Sequence, residues 1–275
     1  MPPTVSRRRL LASSAVTVGS LAGCLSASPE SEPTTSPSRS PDRTPTRTDT
    51  DDGTLRIDAL SVADFVVYPL AGNHPHVHRR TGTQYVIVRV ATSLDETAVR
   101  ERLTLELDGE SVPLAERQPV PWERETVDLA FAVSKTATVD EGRVLFDGTA
   151  VRSLAAATVE RLNDPPVFEV AEPSVSPTEI EAGQRVDATV RVDVTNTGGA
   201  GTFGASLGSS YLSGSKTLTA TLDAGTEREL TGEIRIVGGD DAPTVSLDWG
   251  TDEWTTTVPV VGTATAGSPS PTPTP

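Results

Sequence analysis

All three histidines of the chain fall within five residues, in Asn73-His74-Pro75-His76-Val77-His78. At positions i, i+2 and i+4 of an extended segment their side chains share one face, from which imidazoles could converge on Cu²⁺, Zn²⁺ or Ni²⁺. His74, His76 and His78 are therefore the candidate metal ligands. The competing reading is an exposed polar loop: Pro75, the flanking Gly72 and Gly82 and the cations Arg79 and Arg80 favour it. Those cations oppose a divalent ion, and no carboxylate follows in the loop to orient the rings.

Two familiar patterns overlap further along, and both fail on their surroundings. Gly199-Ala-Gly201-Thr-Phe-Gly204 fits the dinucleotide fingerprint G-x-G-x-x-G. That motif needs its last glycine to open a helix whose N-terminus receives a pyrophosphate, whereas this chain continues as strand and turn. Gly204-Ala-Ser206-Leu-Gly208 fits the G-x-S-x-G elbow, which also needs a following helix and a histidine base beyond the serine. His78 is the last histidine in the chain. The alternation of Phe203, Ala205 and Leu207 predicts that Ser206 faces water. No catalytic residue is expected, and no cofactor.

Carboxylates abound, so pairs such as Asp240-Asp241 and Asp49-Thr-Asp51-Asp52 read as solvated surface; neither has the spacing of a calcium loop. Trp249 and Trp254 flank a turn at Gly250. They could form a ledge for a partner or a sugar, with sandwich core as the competing role.

The N-terminus carries a different kind of information. Arg7, Arg8 and Arg9 precede a fourteen-residue, mildly apolar run from Leu10 to Gly23. A membrane helix needs ~20 apolar residues, so the order cationic, apolar, small-residue site reads as a secretory signal. Ser6-Arg7-Arg8-Arg9-Leu10-Leu11 resembles the twin-arginine export motif, and Leu21-Ala22-Gly23-Cys24 resembles a lipobox, in which the cysteine becomes lipid-modified. This resemblance implies export through Arg7 and Arg8 and attachment to membrane lipid through Cys24, on the outer face of the cytoplasmic membrane. Cys24 is the sole cysteine and Met1 the sole methionine. A lipidated Cys24 leaves no thiol, which excludes cysteine nucleophiles, zinc ribbons and iron–sulfur clusters.

Charge narrows the partners. The chain carries 23 Lys and Arg against 38 Asp and Glu, a net charge of −15. Such a surface repels nucleic acid, which is set aside as a partner. Only Lys135 and Lys216 are lysines. An acidic, lysine-poor and sulfur-poor chain behind such a signal resembles the secreted lipoproteins of halophilic archaea, where carboxylates keep the surface hydrated; an acidic bacterial secreted protein is the alternative.

Residues 1–23 are thus expected to be the signal, and 24–53 a disordered Ser/Thr/Pro-rich stalk. Prolines 29, 33, 37, 41 and 45 stiffen it, giving a reach of roughly 90 Å at full extension. Residues 263–275 form a second disordered tail. Between them the pattern predicts a mostly β protein of two domains that meet at Asn163-Asp-Pro-Pro166. In residues 54–164, strands are expected at 55–60, 65–68, 85–90, 103–107, 111–114, 127–133 and 143–146. Asp108-Gly109 is a hairpin turn, and a single closing helix covers 153–162, capped by Ser153. In residues 165–262, Val186 to Val194 alternates without a break, and about seven strands fit in under a hundred residues. That spacing argues for an immunoglobulin-like sandwich.

Val194-Thr-Asn196-Thr-Gly198-Gly199, after Ala182-Gly183-Gln-Arg-Val186, resembles the strand-and-turn of CARDB-type, adhesion-related β-sandwiches. The resemblance covers residues 167–261 and implies an interaction module without chemistry. By their residue types, Asn-Thr-Gly-Gly are expected to supply the positive-φ positions that turn the chain after its longest strand. The expected function is a lipid-anchored cell-surface protein, not an enzyme, serving adhesion, envelope assembly or presentation of a partner, an envelope protein or glycan. A solute- or metal-binding lipoprotein using His74, His76 and His78 is the alternative.

Overall fold

In the computed structural model the residues described are 46–50, 53–70, 74–119, 126–210 and 215–262. Arg7, Arg8, Cys24 and most of the stalk, as well as the tail, lie outside them. The first half runs β1 (Thr46–Thr50), β2 (Gly53–Ala63), β3 (Val66–Leu70), β4 (His74–His78), β5 (Thr83–Thr92), α1 (Glu96–Arg102), β6 (Leu103–Leu107), β7 (Glu110–Val112), β8 (Thr126–Ser134), β9 (Gly142–Phe146), β10 (Thr149–Ser153) and α2 (Ala156–Asn163). Strands β1-β2-β5-β8 form one antiparallel sheet and β10-β9-β6-β7 another. The apolar positions of β2, β5 and β8 meet those of β6, β9 and β10 in one core. The first half is therefore itself a β-sandwich.

Local chemistry explains its details. A register shift between Ile57 and Ala59 keeps Leu55, Ile57 and Leu60 all inward, where strict alternation would bury Ala59 instead. Asp108 and Gly109 both hold positive φ, 50° and 83°, as a type I′ hairpin requires, and Asp147-Gly148 repeats the device between β9 and β10. Helix α2 starts later than expected, with Ala155 at the N-cap position and no side-chain cap, because Ser153 still pairs with Arg143 in the sheet. Helix α1 lies where the sequence pattern predicts no helix; Asp95 caps it by accepting a hydrogen bond from the Ala98 N–H. Strand β1 falls inside the stretch that composition reads as stalk. Its threonines suit an edge strand whose bonds to β2 come from the backbone.

The second half comprises β11 (Phe168–Val170), β12 (Ser174–Ser176), β13 (Ile180–Glu181), β14 (Arg185–Asn196), β15 (Gly201–Ser209), β16 (Lys216–Leu222), β17 (Glu227–Val237), β18 (Thr244–Asp248), β19 (Glu253–Thr257) and β20 (Val260–Val261). Strand β14 is flanked by β17 on one side and by β11 and β12 on the other, while β16-β15-β18-β19 form the facing sheet. Ala188, Val190, Val192 and Val194 of β14 pack against Phe203, Ala205 and Leu207 of β15, which makes the sandwich the alternation predicts. The strands beyond the expected seven are edge pieces of two or three residues, too short for a periodic signal.

The turn after β14 departs from the expected positive-φ geometry. Gly198 and Gly199 are not in the left-handed region. They are glycines because the preceding linker passes too close. A Cβ on Gly198 would lie 2.5 Å from the Pro165 carbonyl oxygen, and one on Gly199 2.1 Å from that of Asp164. Asn196, fully buried, ties the corner: its amide donates to the Gly199 (2.8 Å) and Leu222 (3.2 Å) carbonyls, and its oxygen accepts from the Val167 and Gly198 N–H groups.

All described residues belong to one compact unit. The hairpin β3–β4 joins its two cores. On one side Val66 packs with Tyr85 and Ala130, on the face of β5 and β8 that points away from the first core. On the other, β4 lies against β15 and β16 of the second sandwich.

Candidate functional site

The three histidines, the candidate metal ligands, lie on the hairpin at the junction of the two cores. His74, His76 and His78 do occupy alternate positions of one strand, β4. Each meets a hydroxyl or an aromatic ring. His74 Nδ1 is 2.9 Å from the Ser215 hydroxyl. His76 stands opposite Tyr68 in the hairpin, its ring 6.0 Å from the phenol, and His78 lies between Tyr68 (6.3 Å) and Tyr85 (6.1 Å). Arg117 covers Tyr68 at 5.3 Å. Among the described residues no group of three His, Cys, Asp or Glu side chains is placed to hold a metal ion. Burial holds His78 below the ordinary imidazole pKa, with Glu116 opposing and Arg117 and Arg80 reinforcing the shift.

Ser206 is not at the surface. It is buried, and its hydroxyl accepts a hydrogen bond of 2.9 Å from the Val77 N–H of β4. Alternation placed Ser206 opposite the core correctly, but a second layer, the hairpin, covers that opposite face. Gly204 shows the same contact from the other direction: a Cβ there would lie 2.4 Å from the Phe65 ring, so glycine lets the ring rest on the strand. The run Gly199 to Gly204 leads into strand β15 and opens no helix. Both patterns are therefore parts of the junction between the halves.

A dense set of interactions lies at that junction, around Arg79, the residue after β4. Its Nε donates to Asp64 Oδ2 at 2.6 Å, Nη1 to the Trp249 carbonyl at 2.5 Å and Nη2 to the Gly204 carbonyl at 3.4 Å. Its guanidinium carbon lies 5.0 Å from the ring centre of Phe203, 5.6 Å from Phe65 and 5.7 Å from Phe168. Three faces of π density and a carboxylate thus replace the water the cation has lost. Burial pulls the Arg79 pKa down and the Asp64 charge pulls it back. Asp64 is buried as well; its Oδ1 takes no aligned hydrogen bond, and the Lys135 ammonium stands beside it as counter-charge. Lys135 also donates to the Pro166 carbonyl at 2.7 Å, gripping the linker. Burial, then the Asp64 charge, raise the pKa of the neighbouring Tyr85.

Above this cluster opens a cleft of about 340 Å³. Asp64, Arg79, Arg80 and Lys135 line it from the first half, and Val167, Phe168, Phe203 and Trp249 from the second. Trp249 and Trp254 both pack on the second core half-buried, and Trp249 alone reaches the cleft. The sequence offered no sign of the Asp64–Arg79–Lys135 cluster, because its members are brought together by the hairpin and the linker and share no spacing. No protein-family model matches the chain, and no curated protein is similar to it at a significant level.

Proposed function

We propose that the chain is a lipid-anchored protein of the cell surface with a non-catalytic role in adhesion, envelope assembly or presentation of a partner. The observation that carries this reading is the order Arg7-Arg8, apolar run, Leu21-Ala22-Gly23-Cys24, with Cys24 the only cysteine in 275 residues. The lipid would attach through Cys24 and the folded part would stand off behind a proline-rich stalk. The acidic, lysine-poor composition accords with the secreted lipoproteins of halophilic archaea. Support for a non-catalytic role comes from the two motif-like patterns around β15. Ser206 serves as a buried acceptor, and the glycine run serves close packing. Two sandwiches sharing one buried junction suit a module that displays surface.

The test is made in cells that export the protein. Cys24→Ser is expected to move it from the membrane fraction to the medium and to abolish labelling by a radioactive lipid precursor. Replacing Arg7 and Arg8 by lysine is expected to retain the precursor inside. A Cys24→Ser protein that stays membrane-bound would overturn the anchoring.

A further inference from the structure

Apart from Asp64, the ionisable residues lining the junction cleft are basic: Arg79, Arg80 and Lys135. On a chain with a net charge of −15 this is a local reversal of sign. The cations differ in what they can offer. Arg79 is saturated by Asp64 and two carbonyls, and Lys135 by Asp64 and the Pro166 carbonyl. Arg80 is exposed at the rim and, among the described residues, its side chain enters no ion pair or hydrogen bond. Beside it the wall is apolar: Phe168, Val170 and Trp249 line the cleft half-buried. Val167 is 48% exposed, one of two large apolar side chains left so open among the described residues. At about 340 Å³ the space falls within the range that small organic ligands occupy.

We infer that this cleft binds a small organic carboxylate, its anionic end on the Arg80 guanidinium and its apolar body on Val167, Phe168 and Trp249. An arginine fork matches a carboxylate with two parallel hydrogen bonds, and the buried cations behind it add attraction without needing to move. Asp64 disfavours a ligand with a second anionic group on its inner end. A neutral amide of the same shape lacks the charge, and an inorganic anion lacks the apolar contact. This site is independent of the lipid anchor, and its test does not depend on where the protein resides.

The purified full chain is titrated calorimetrically with benzoate, benzamide and sulfate at one fixed salt concentration. Benzoate is expected to saturate at one site, at least tenfold more tightly than either benzamide or sulfate. Arg80→Gln is expected to weaken benzoate at least tenfold with the thermal midpoint unchanged. Val167→Asp, which sets a carboxylate on the rim, is expected to do the same. Absence of saturation by benzoate, equal binding of benzamide or sulfate, or undiminished binding by both variants would each overturn the assignment.

Discussion

A buried charge is tolerated only while its partners remain, and Arg79 has no second carboxylate among its hydrogen-bond partners. Asp64→Ala would leave the guanidinium to two carbonyls and three aromatic faces, and would strand the Lys135 ammonium as well. Breaking one partner of such a pair costs about 3–5 kcal/mol, more than replacing both by apolar groups of similar size. Urea denaturation should therefore show Asp64→Ala far less stable than the parent and the double change Asp64→Leu with Arg79→Met nearer to it. Equal midpoints for parent and Asp64→Ala would refute the account. His78 makes a gentler prediction at the same scale. Its folded pKa lies below the ordinary 6.5, so between the two values the unfolded chain binds more protons than the folded one. Stability from this residue is complete above about pH 6.5 and is lost as pH falls through that window. Denaturation midpoints at pH 7.5 and 5.5 should differ less for His78→Gln than for the parent.

Among elements, strand positions were legible wherever one face is dry and the other wet. The alternation of β14 and the Asp108-Gly109 turn say where chain direction and facing must be. What alternation cannot report is a third layer. Strand β15 obeys the period-two rule on its core face, yet Ser206 and Gly204 on the other face are buried too, because β4 and Phe65 cover them. The same blindness hid the cluster around Arg79: Asp64 and Lys135 belong to different strand ends, and no spacing connects them. Conversely, the Asn196-Thr-Gly-Gly turn stands out in the sequence, but positive φ is the wrong reason for its glycines. The passing linker, not backbone torsion, excludes side chains there. The covered face of β15 can be tested. Gly204→Ala places a methyl 2.4 Å from the Phe65 ring and should cost roughly 1–3 kcal/mol by overpacking. Phe65→Leu should restore part of that loss in the Gly204→Ala background, though it is destabilising alone. Additive losses in the double variant would exclude the contact as the cause.

For the whole molecule, two forces set the conditions under which both sandwiches hold together. The first is repulsion: a net charge of −15 resists compaction, and screening relieves it over a Debye length of about 10 Å at 0.1 M salt and 3 Å at 1 M. The second is the junction, where the hairpin β3–β4, the Arg79 cluster and the Lys135 grip on the linker join two otherwise separate cores. Salt acts on them differently. Exposed pairs such as Arg235–Asp187, with side chains 59% and 51% exposed, are weakened by screening. The Arg79–Asp64 pair, 7% and 1% exposed, is shielded from ions and keeps its strength. Raising NaCl from 0.1 to 2 M should therefore raise the thermal midpoint, because relief of the net repulsion outweighs the loss of exposed pairs. Throughout that range calorimetry should record a single transition, since the buried junction keeps the sandwiches coupled. With Asp64→Ala the coupling is cut while the cores remain, and the one transition should separate into two. A parent protein whose midpoint falls with salt would show that exposed ion pairs, not net repulsion, dominate its electrostatics. A single transition retained by Asp64→Ala would place the coupling in the apolar contacts of the hairpin.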